Sequence, residues 1–248
     1  MRGGRASASR ASWRGRALVA CLAMFACTAD AGQLRVGPTR VELTRQRPVG
    51  VIEVRNDNPG PVLVQIERML WIQRNGEDSY EPTQQLIVTP PVVQLASGAM
   101  QIVRVGLRAL PEDGHERAFR VYVREVPTPS PGGAEGIQVA LRVGVPVFFD
   151  LGGTDSRVQW LIQAPESGAV RVLARNDGSH WEHVARIEAR DRKSGATVWR
   201  SAQAGYLLAG GQRVWSGPAL MPIEVGDPVD LIVTTETGER RQALTVSP

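Results

Sequence analysis

The side chains that could do chemistry are few and widely spaced in this 248-residue sequence. His180 and His183 are three residues apart, but no third metal ligand accompanies them, and His115 stands apart from both along the chain. Ser130 lacks the glycine-flanked turn of a hydrolase nucleophile, and no glycine-rich phosphate loop is present. The sequence therefore predicts neither an enzyme nor a site for a metal or a cofactor.

Residues 1–31 have the features of a secretory signal peptide. Five arginines and no acidic residue precede an apolar run of eleven residues, Ala17–Cys27. Ala29 and Ala31 supply the small residues of a cleavage site, which predicts cleavage after Ala31. The run is shorter than the ~20 apolar residues that span a bilayer, so we expect export without membrane insertion. Lipidation at Cys21 is an alternative, although little apolar sequence precedes it.

The predicted leader changes the charge and cysteine content of the chain that remains. It contains both cysteines of the sequence, so no disulfide is expected in residues 32–248. It also contains five of the 29 basic and one of the 25 acidic residues, which leaves 24 of each. Because a neutral chain lacks the basic excess typical of nucleic-acid-binding proteins, we expect no nucleic-acid partner.

The remaining chain alternates apolar and polar residues in short runs, which is typical of β-strands. Phe119, Val121 and Val123 share one parity, for example, and turn-forming residues separate this run from its neighbours. Such spacing favours an all-β fold of sandwiches, each with about seven strands in ~100 residues. A short hinge at Gly152-Gly153 divides the runs into two predicted domains, residues 32–150 and 155–248.

One alternating segment near the end of the first predicted domain is unusually long. Its apolar parity extends over eleven residues and comprises Ile137, Val139, Leu141, Val143, Val145 and Val147. The segment could be the last strand of the first sandwich, with this row facing the core. It could equally be an edge strand whose apolar row and backbone are offered to another chain. Pro146 lacks an N–H group, which favours an edge or a strand end.

Short motifs follow one another in a characteristic order along the first predicted domain. They are Val36–Val41, Val54–Asn56, Gln101–Val105, Glu116–Val121 and Arg124–Pro127. In type and order they resemble those of the periplasmic pilus-assembly chaperones, and Arg142–Val147 is most similar to the archaic branch of that family. The resemblance extends over nearly all of residues 32–248.

This resemblance implies a fold, a partner and a mechanism. The fold would be two immunoglobulin-like sandwiches set at an angle, with a cleft between them. The protein would act in the periplasm, bind and stabilise pilus subunits by donor-strand complementation, and deliver them to an outer-membrane usher. Its donor strand would use Ile137, Val139, Leu141, Val143 and Val145.

The resemblance also implies a pair of basic anchors for the terminal carboxylate of the subunit. Arg40 matches the first anchor by its place after Pro38-Thr39 in the opening strand. Gly144 stands where better-known members carry a lysine, so the second anchor differs here. Arg142 has the same parity two residues away and is the expected substitute.

Two other functions are compatible with a secreted all-β chain. A structural or adhesive component of the appendage would need a long N-terminal donor tail, whereas only Gly32 and Gln33 precede the opening strand after the predicted cleavage site. A sugar-binding module would need a platform of aromatic rings. The candidate tryptophans are scattered over both domains and are expected to fill cores instead: Trp71, Trp160, Trp181, Trp199 and Trp215.

Overall fold

The computed structural model describes residues 34–111, 116–127, 139–152, 157–164 and 169–248. The predicted signal peptide and Ile137 lie outside these ranges. No helix among the described residues is long and apolar enough to span a membrane.

The regular structure of the described residues consists of eighteen strands. In chain order these are β1 (Leu34–Gly37), β2 (Val41–Thr44), β3 (Val49–Asn56), β4 (Val62–Arg74), β5 (Glu77–Pro82), β6 (Leu86–Thr89), β7 (Val92–Leu95), β8 (Met100–Leu107), β9 (Arg117–Val126), β10 (Arg142–Asp150), β11 (Val158–Gln163), β12 (Ala169–Asn176), β13 (Glu182–Asp191), β14 (Thr197–Ser201), β15 (Gly205–Leu207), β16 (Gln212–Pro218), β17 (Pro228–Thr235) and β18 (Gly238–Thr245).

The first sandwich is built from β1 to β10. One sheet has the strand order β1-β3-β8-β6, and the other has the order β2-β10-β9-β4-β5, with β7 paired to β4. The alternation seen in the sequence directs one parity of each strand inward, so Ile52 and Val103 of the first sheet share a core with Val64 and Val121 of the second.

The second sandwich is built from β11 to β18. Its sheets have the orders β11-β12-β16 and β14-β13-β17-β18, with β15 paired to β13. Trp199 and Trp215 are fully buried in its core beside Ile187 and Leu231. The predicted all-β fold of two immunoglobulin-like sandwiches is thus confirmed. The predicted limits at 150 and 155 stay predictions, because residues 153–156 lie outside the described ranges.

A third cluster of aromatic side chains joins the two sandwiches. Phe148 of β10 stacks on Trp181 of the second sandwich, with 4.5 Å between ring centroids. Trp71 of β4 packs edge-on against Tyr206, with 5.4 Å between centroids. Three of these rings are buried and Tyr206 is half-buried, and the start of β2 lies close to the turn that follows β17 at this boundary.

The strand β10 has two neighbours of unequal length. It pairs antiparallel with β9 over Arg142–Phe149. Its other neighbour, β2, pairs with it in parallel and only over Val147–Asp150. One side of Arg142–Pro146 therefore has no strand partner among the described residues, and we call this side the open edge.

Candidate functional site: an open strand edge flanked by arginines

The backbone of the open edge has hydrogen-bonding groups to offer. The N–H of Glu125 donates to the carbonyl of Leu141 at 2.8 Å, so odd-numbered residues of this segment bond to β9. Because bonding residues alternate in an antiparallel ladder, the N–H and C=O groups of Arg142 and Gly144 point away from β9. Pro146 has no N–H to donate, and β2 takes over as the partner from Val147 onward.

The aliphatic parity of this segment changes from exposed to buried along its length. Val139 is 86% exposed and Leu141 is 36% exposed, whereas Val143 is half-buried. Val145 is only 2% exposed and lies in the core of the first sandwich. The second half of the segment is thus a core strand and the first half an open edge. We call Val139, Leu141 and Val143 the aliphatic row.

The predicted donor residue Val145 therefore differs from the aliphatic row. It lies opposite Val121 in the interior of the sheet, where side chains of the facing sheet cover it. A buried side chain of this kind contributes to the stability of its own sandwich and has no surface left to offer a partner.

Arg40 lies directly before β2, at the end of the open edge. Val41 pairs with Val147, and extending this parallel register by one residue places Arg40 opposite Pro146. The guanidinium makes ion pairs with Glu236 at 2.7 Å and with Glu42 at 2.9 Å.

The surroundings of Arg40 favour its charged form. Its Cζ atom lies 4.8 Å from the centroid of the Trp181 ring. Burial alone would lower the pKa of Arg40, but hydrogen bonds to Glu236 and Tyr206, together with the charge of Glu42, outweigh this effect and raise it. The cavity beside the guanidinium, which Tyr206 and Glu236 also line, has a volume of about 640 Å³. It could hold the carboxylate of a bound chain.

Arg142 has a different environment. Its guanidinium lies flat on the Tyr122 ring, with 3.6 Å between Cζ and the ring centroid. Its Nη2 and Nε groups donate to one oxygen of Glu67 at 2.8 and 3.2 Å. Arg142 lies four residues before Pro146 in β10, which is about 13 Å along the strand, so the structure does not bring Arg142 together with Arg40. We therefore retain Arg142 only as a proposed contact along the open edge.

The structure brings a different arginine to the level of Pro146, which sequence reasoning missed. Arg120 of β9 pairs directly with Pro146. Its guanidinium lies 4.9 Å from the centroid of the Trp71 ring and 5.9 Å from that of Tyr80. Its Nε atom is buried without a hydrogen-bond partner, and no acidic side chain among the described residues pairs with it.

Gly144 leaves the space that Arg120 occupies. A Cβ atom added to Gly144 would lie 3.0 Å from Nε of Arg120 and 2.9 Å from Cε1 of Tyr122. The space that a lysine at position 144 would need is thus filled by the Arg120 guanidinium from the neighbouring strand β9. The alternation of Phe119–Val126 already placed Arg120 opposite the core parity, but the register between β9 and β10 does not follow from the sequence.

Glu116 is an acidic group buried where the two sandwiches meet. Its side chain is 3% exposed, and one oxygen accepts the N–H of Trp181 at 2.8 Å. Burial raises the pKa of Glu116 to about 8, although the Trp181 hydrogen bond opposes the shift. The Glu116 carboxyl is therefore largely protonated at neutral pH. Its role is structural, because it lies where the two sandwiches pack together.

His180, His183 and the five candidate tryptophans have structural partners. His180 and His183 point to different carboxylates, Glu116 at 3.5 Å and Glu236 at 3.2 Å, and the described residues contain no cluster of metal-ligating side chains. The interpretation of the tryptophans as core residues is confirmed. Trp71, Trp181, Trp199 and Trp215 are buried, and Trp160 is half-buried and stacks on Trp215.

Comparison with known proteins agrees with this architecture. The family model of the N-terminal domain of PapD-type pili and flagellar-assembly chaperones matches residues 33–150. The chaperone protein PapD of Escherichia coli is 28% identical over 141 residues, which are 55% of this chain and 56% of PapD. The match thus spans little more than half the length of this relative.

Solved structures share the fold over a longer stretch. One is the pre-assembly complex of CsuC with the tip adhesion subunit CsuE from the archaic Csu pili of Acinetobacter baumannii. It matches with a TM-score of 0.64 at 16% identity, over 87% of this chain and 98% of that one. The Salmonella enterica complex of the SafA pilin with the SafB chaperone matches with a TM-score of 0.55 at 16% identity, over 86% and 96%.

Residues 33–150 match the model of the pili and flagellar-assembly chaperones, and the two-sandwich fold is that of the solved chaperone structures. These findings confirm the resemblance found in the sequence. The matched family model and the relative PapD are both described as chaperones, which supports the chaperone interpretation rather than the structural or adhesive alternative.

Proposed function

We propose that this protein is a periplasmic chaperone that captures pilus subunits by lending them the open edge of β10. The observation that carries the proposal is an unpaired backbone edge over Arg142–Pro146 that directly follows the exposed aliphatic side chains of Val139 and Leu141. A subunit that lacks one strand exposes unpaired backbone groups and an apolar groove, and both invite aggregation. One lent strand satisfies both needs.

The aliphatic row supplies affinity without making the complex permanent. Burying Val139 and the exposed third of Leu141 in a subunit groove contributes roughly 2–4 kcal/mol before the costs of association. Val143 adds less, because it is already half-buried. A moderate apolar contribution suits a partner that is later released to another protein.

The arginines at the level of Pro146 supply the register. An alternating strand can slip by two residues and keep its apolar parity, so a second contact is needed to fix its position. Arg40 and Arg120 flank Pro146 on either side of β10, about 10 Å apart at the level of the backbone. A guest strand, meaning the subunit strand that pairs with the open edge in line with β2, would place its terminal carboxylate between these two guanidinium groups.

Location and release complete the proposal. The signal-peptide features of residues 1–31 support export to the periplasm. The captured subunit would be passed to an outer-membrane usher, where another subunit replaces the lent strand. The solved complexes of CsuC with CsuE and of SafB with SafA hold a chaperone with its subunit, which supports the first step.

The test is to isolate the tagged protein from periplasm, to identify bound proteins by mass spectrometry, and to compare amide hydrogen exchange in the free and bound protein. The amides of Arg142 and Gly144 should exchange rapidly in the free protein and at least tenfold more slowly in the complex. A complex in which these two amides exchange as in the free protein would place the partner elsewhere and overturn the proposal.

A further inference from the structure

The carboxylate of Glu236 already occupies the position where Arg40 would receive a guest. Glu236 lies in the two-residue turn between β17 and β18 of the second sandwich. Its two oxygens accept from the same nitrogen of Arg40, Nη1, at 2.7 and 3.0 Å. The contact joins residues that are 196 positions apart in the sequence.

The guanidinium of Arg40 has little capacity left for another acceptor. Nη1 donates to Glu236, Nε forms an ion pair with Glu42 at 2.9 Å, and Tyr206 makes a further hydrogen bond with the guanidinium. The Trp181 ring lies against the group at 4.8 Å. An incoming carboxylate would be the third negative charge in contact with Arg40, and repulsion from Glu42 and Glu236 would oppose it, so we expect one of the resident carboxylates to leave.

Glu236 is better placed to leave than Glu42. Glu42 lies two residues from Arg40 at the start of β2, so the two side chains remain on one side of the same strand. Glu236 belongs to the other sandwich and sits at the tip of a turn, whereas the exposed fractions of the two side chains, 43% and 50% for Glu236 and Glu42, are similar. It also has a second partner, because Nδ1 of His183 lies 3.2 Å from its Oε1 atom. When it releases Arg40, Glu236 keeps a contact with His183.

We propose that Glu236 is an internal competitor that occupies Arg40 in the free protein and lowers the affinity for chains that end in a free carboxylate. This inference rests on the proposed function. A guest that brings both a carboxylate and an alternating strand has to displace Glu236 to reach Arg40. A guest that brings only apolar residues leaves the Arg40–Glu236 pair in place. Glu236 thus weakens the anchor and favours release of the guest.

The test uses a synthetic ten-residue peptide with valine at alternate positions and serine or threonine between them. The peptide is prepared as the free acid and as the C-terminal amide, and its binding is measured by calorimetry to the parent protein, to Glu236→Gln and to a matched control, Glu239→Gln. Glu239 is a more exposed glutamate three residues further on, 4.0 Å from Arg186. Glu236→Gln should bind the free acid roughly five- to tenfold more tightly and the amide no differently, while Glu239→Gln should match the parent.

A second measurement needs no peptide. Phenylglyoxal modifies exposed arginines, and mass spectrometry reports the rate at Arg40. Loss of the Glu236 charge should raise this rate at least threefold, with Arg55 as an internal reference.

The outcomes separate the inference from the proposed function. If the parent prefers the free acid to the amide but Glu236→Gln matches the parent in both measurements, Glu236 is no competitor and the inference fails. If the parent binds acid and amide equally, or binds neither, the anchor role of Arg40 fails and the inference fails with it. A gain in affinity that is the same for acid and amide would also count against competition for Arg40.

Discussion

The Nε atom of Arg120 lies 3.0 Å from the point where a side chain on Gly144 would begin. The two positions therefore exclude each other's side chains: a larger residue on β10 requires Arg120 to move. The cation at this level of the cleft comes from β9, and the glycine on β10 makes room for it.

Replacing Gly144 by lysine should destabilise the protein by about 1–3 kcal/mol, because the new side chain would collide with Arg120 and Tyr122. The double variant Gly144→Lys/Arg120→Ala should recover part of this loss. Urea denaturation of the single and double variants gives the coupling between the two sites. Gly60→Lys is the control, since nothing lies within 4 Å of a Cβ atom there. Additive effects at positions 144 and 120 would show that they do not compete for space.

Leu141→Asp should abolish subunit capture and leave the fold intact. The side chain is 36% exposed, so the free energy of unfolding should change by less than about 0.5 kcal/mol. A carboxylate in the apolar groove of a subunit should weaken the complex at least tenfold. Yields of co-purified subunit and urea denaturation measure the two effects. Leu161→Asp is the matched control, because Leu161 is 40% exposed on β11 of the second sandwich. Normal subunit yields with Leu141→Asp would remove the aliphatic row from the mechanism.

Arg40→Ala and Arg120→Ala should each weaken subunit capture by about 1.5–3 kcal/mol, the contribution of a hydrogen bond to a charged group. The double variant should lose less than the sum, because both arginines would hold one carboxylate. Binding of a purified subunit, measured by calorimetry, tests this. Arg142→Ala and Arg55→Ala provide the comparison, and we expect a small effect from the first and none from the second. Losses with Arg40→Ala and Arg142→Ala but not with Arg120→Ala would assign the second anchor to Arg142.

Glu116→Gln should remove a pH dependence of stability that Glu116 causes. Burial raises the pKa of Glu116 to about 8 in the folded protein, above the ordinary value of 4.5. The stability that the protonated group provides is complete below pH 4.5 and is lost as the pH rises through about 8. Between pH 6 and 8.5 the parent should therefore lose about 1–3 kcal/mol relative to Glu116→Gln. Urea denaturation at both pH values measures this difference. Glu81→Gln, at an exposed glutamate, should follow the parent, and parallel pH profiles of parent and Glu116→Gln would contradict the prediction.

The sequence predicted the elements of this site better than their juxtaposition. Period-two alternation identified the strands and the long aliphatic parity, because one face of each strand is buried. It could not show where that parity passes from open edge to core. This point is fixed by β2, which pairs with β10 from about one hundred residues away in the sequence. The same limitation hid Arg120 and Glu236, which reach the site through sheet register and through the contact between sandwiches.

The start of β2 at Val41 sets a boundary for any strand that pairs with the open edge. A bound polypeptide that continued past Arg40 would run into β2, so it has to terminate there. The C-terminus of a polypeptide, which carries the carboxylate, is the last part to be synthesised and to cross a membrane. Under the proposed function, the chaperone therefore binds only a subunit that is fully synthesised and fully translocated, and it does not bind incomplete chains.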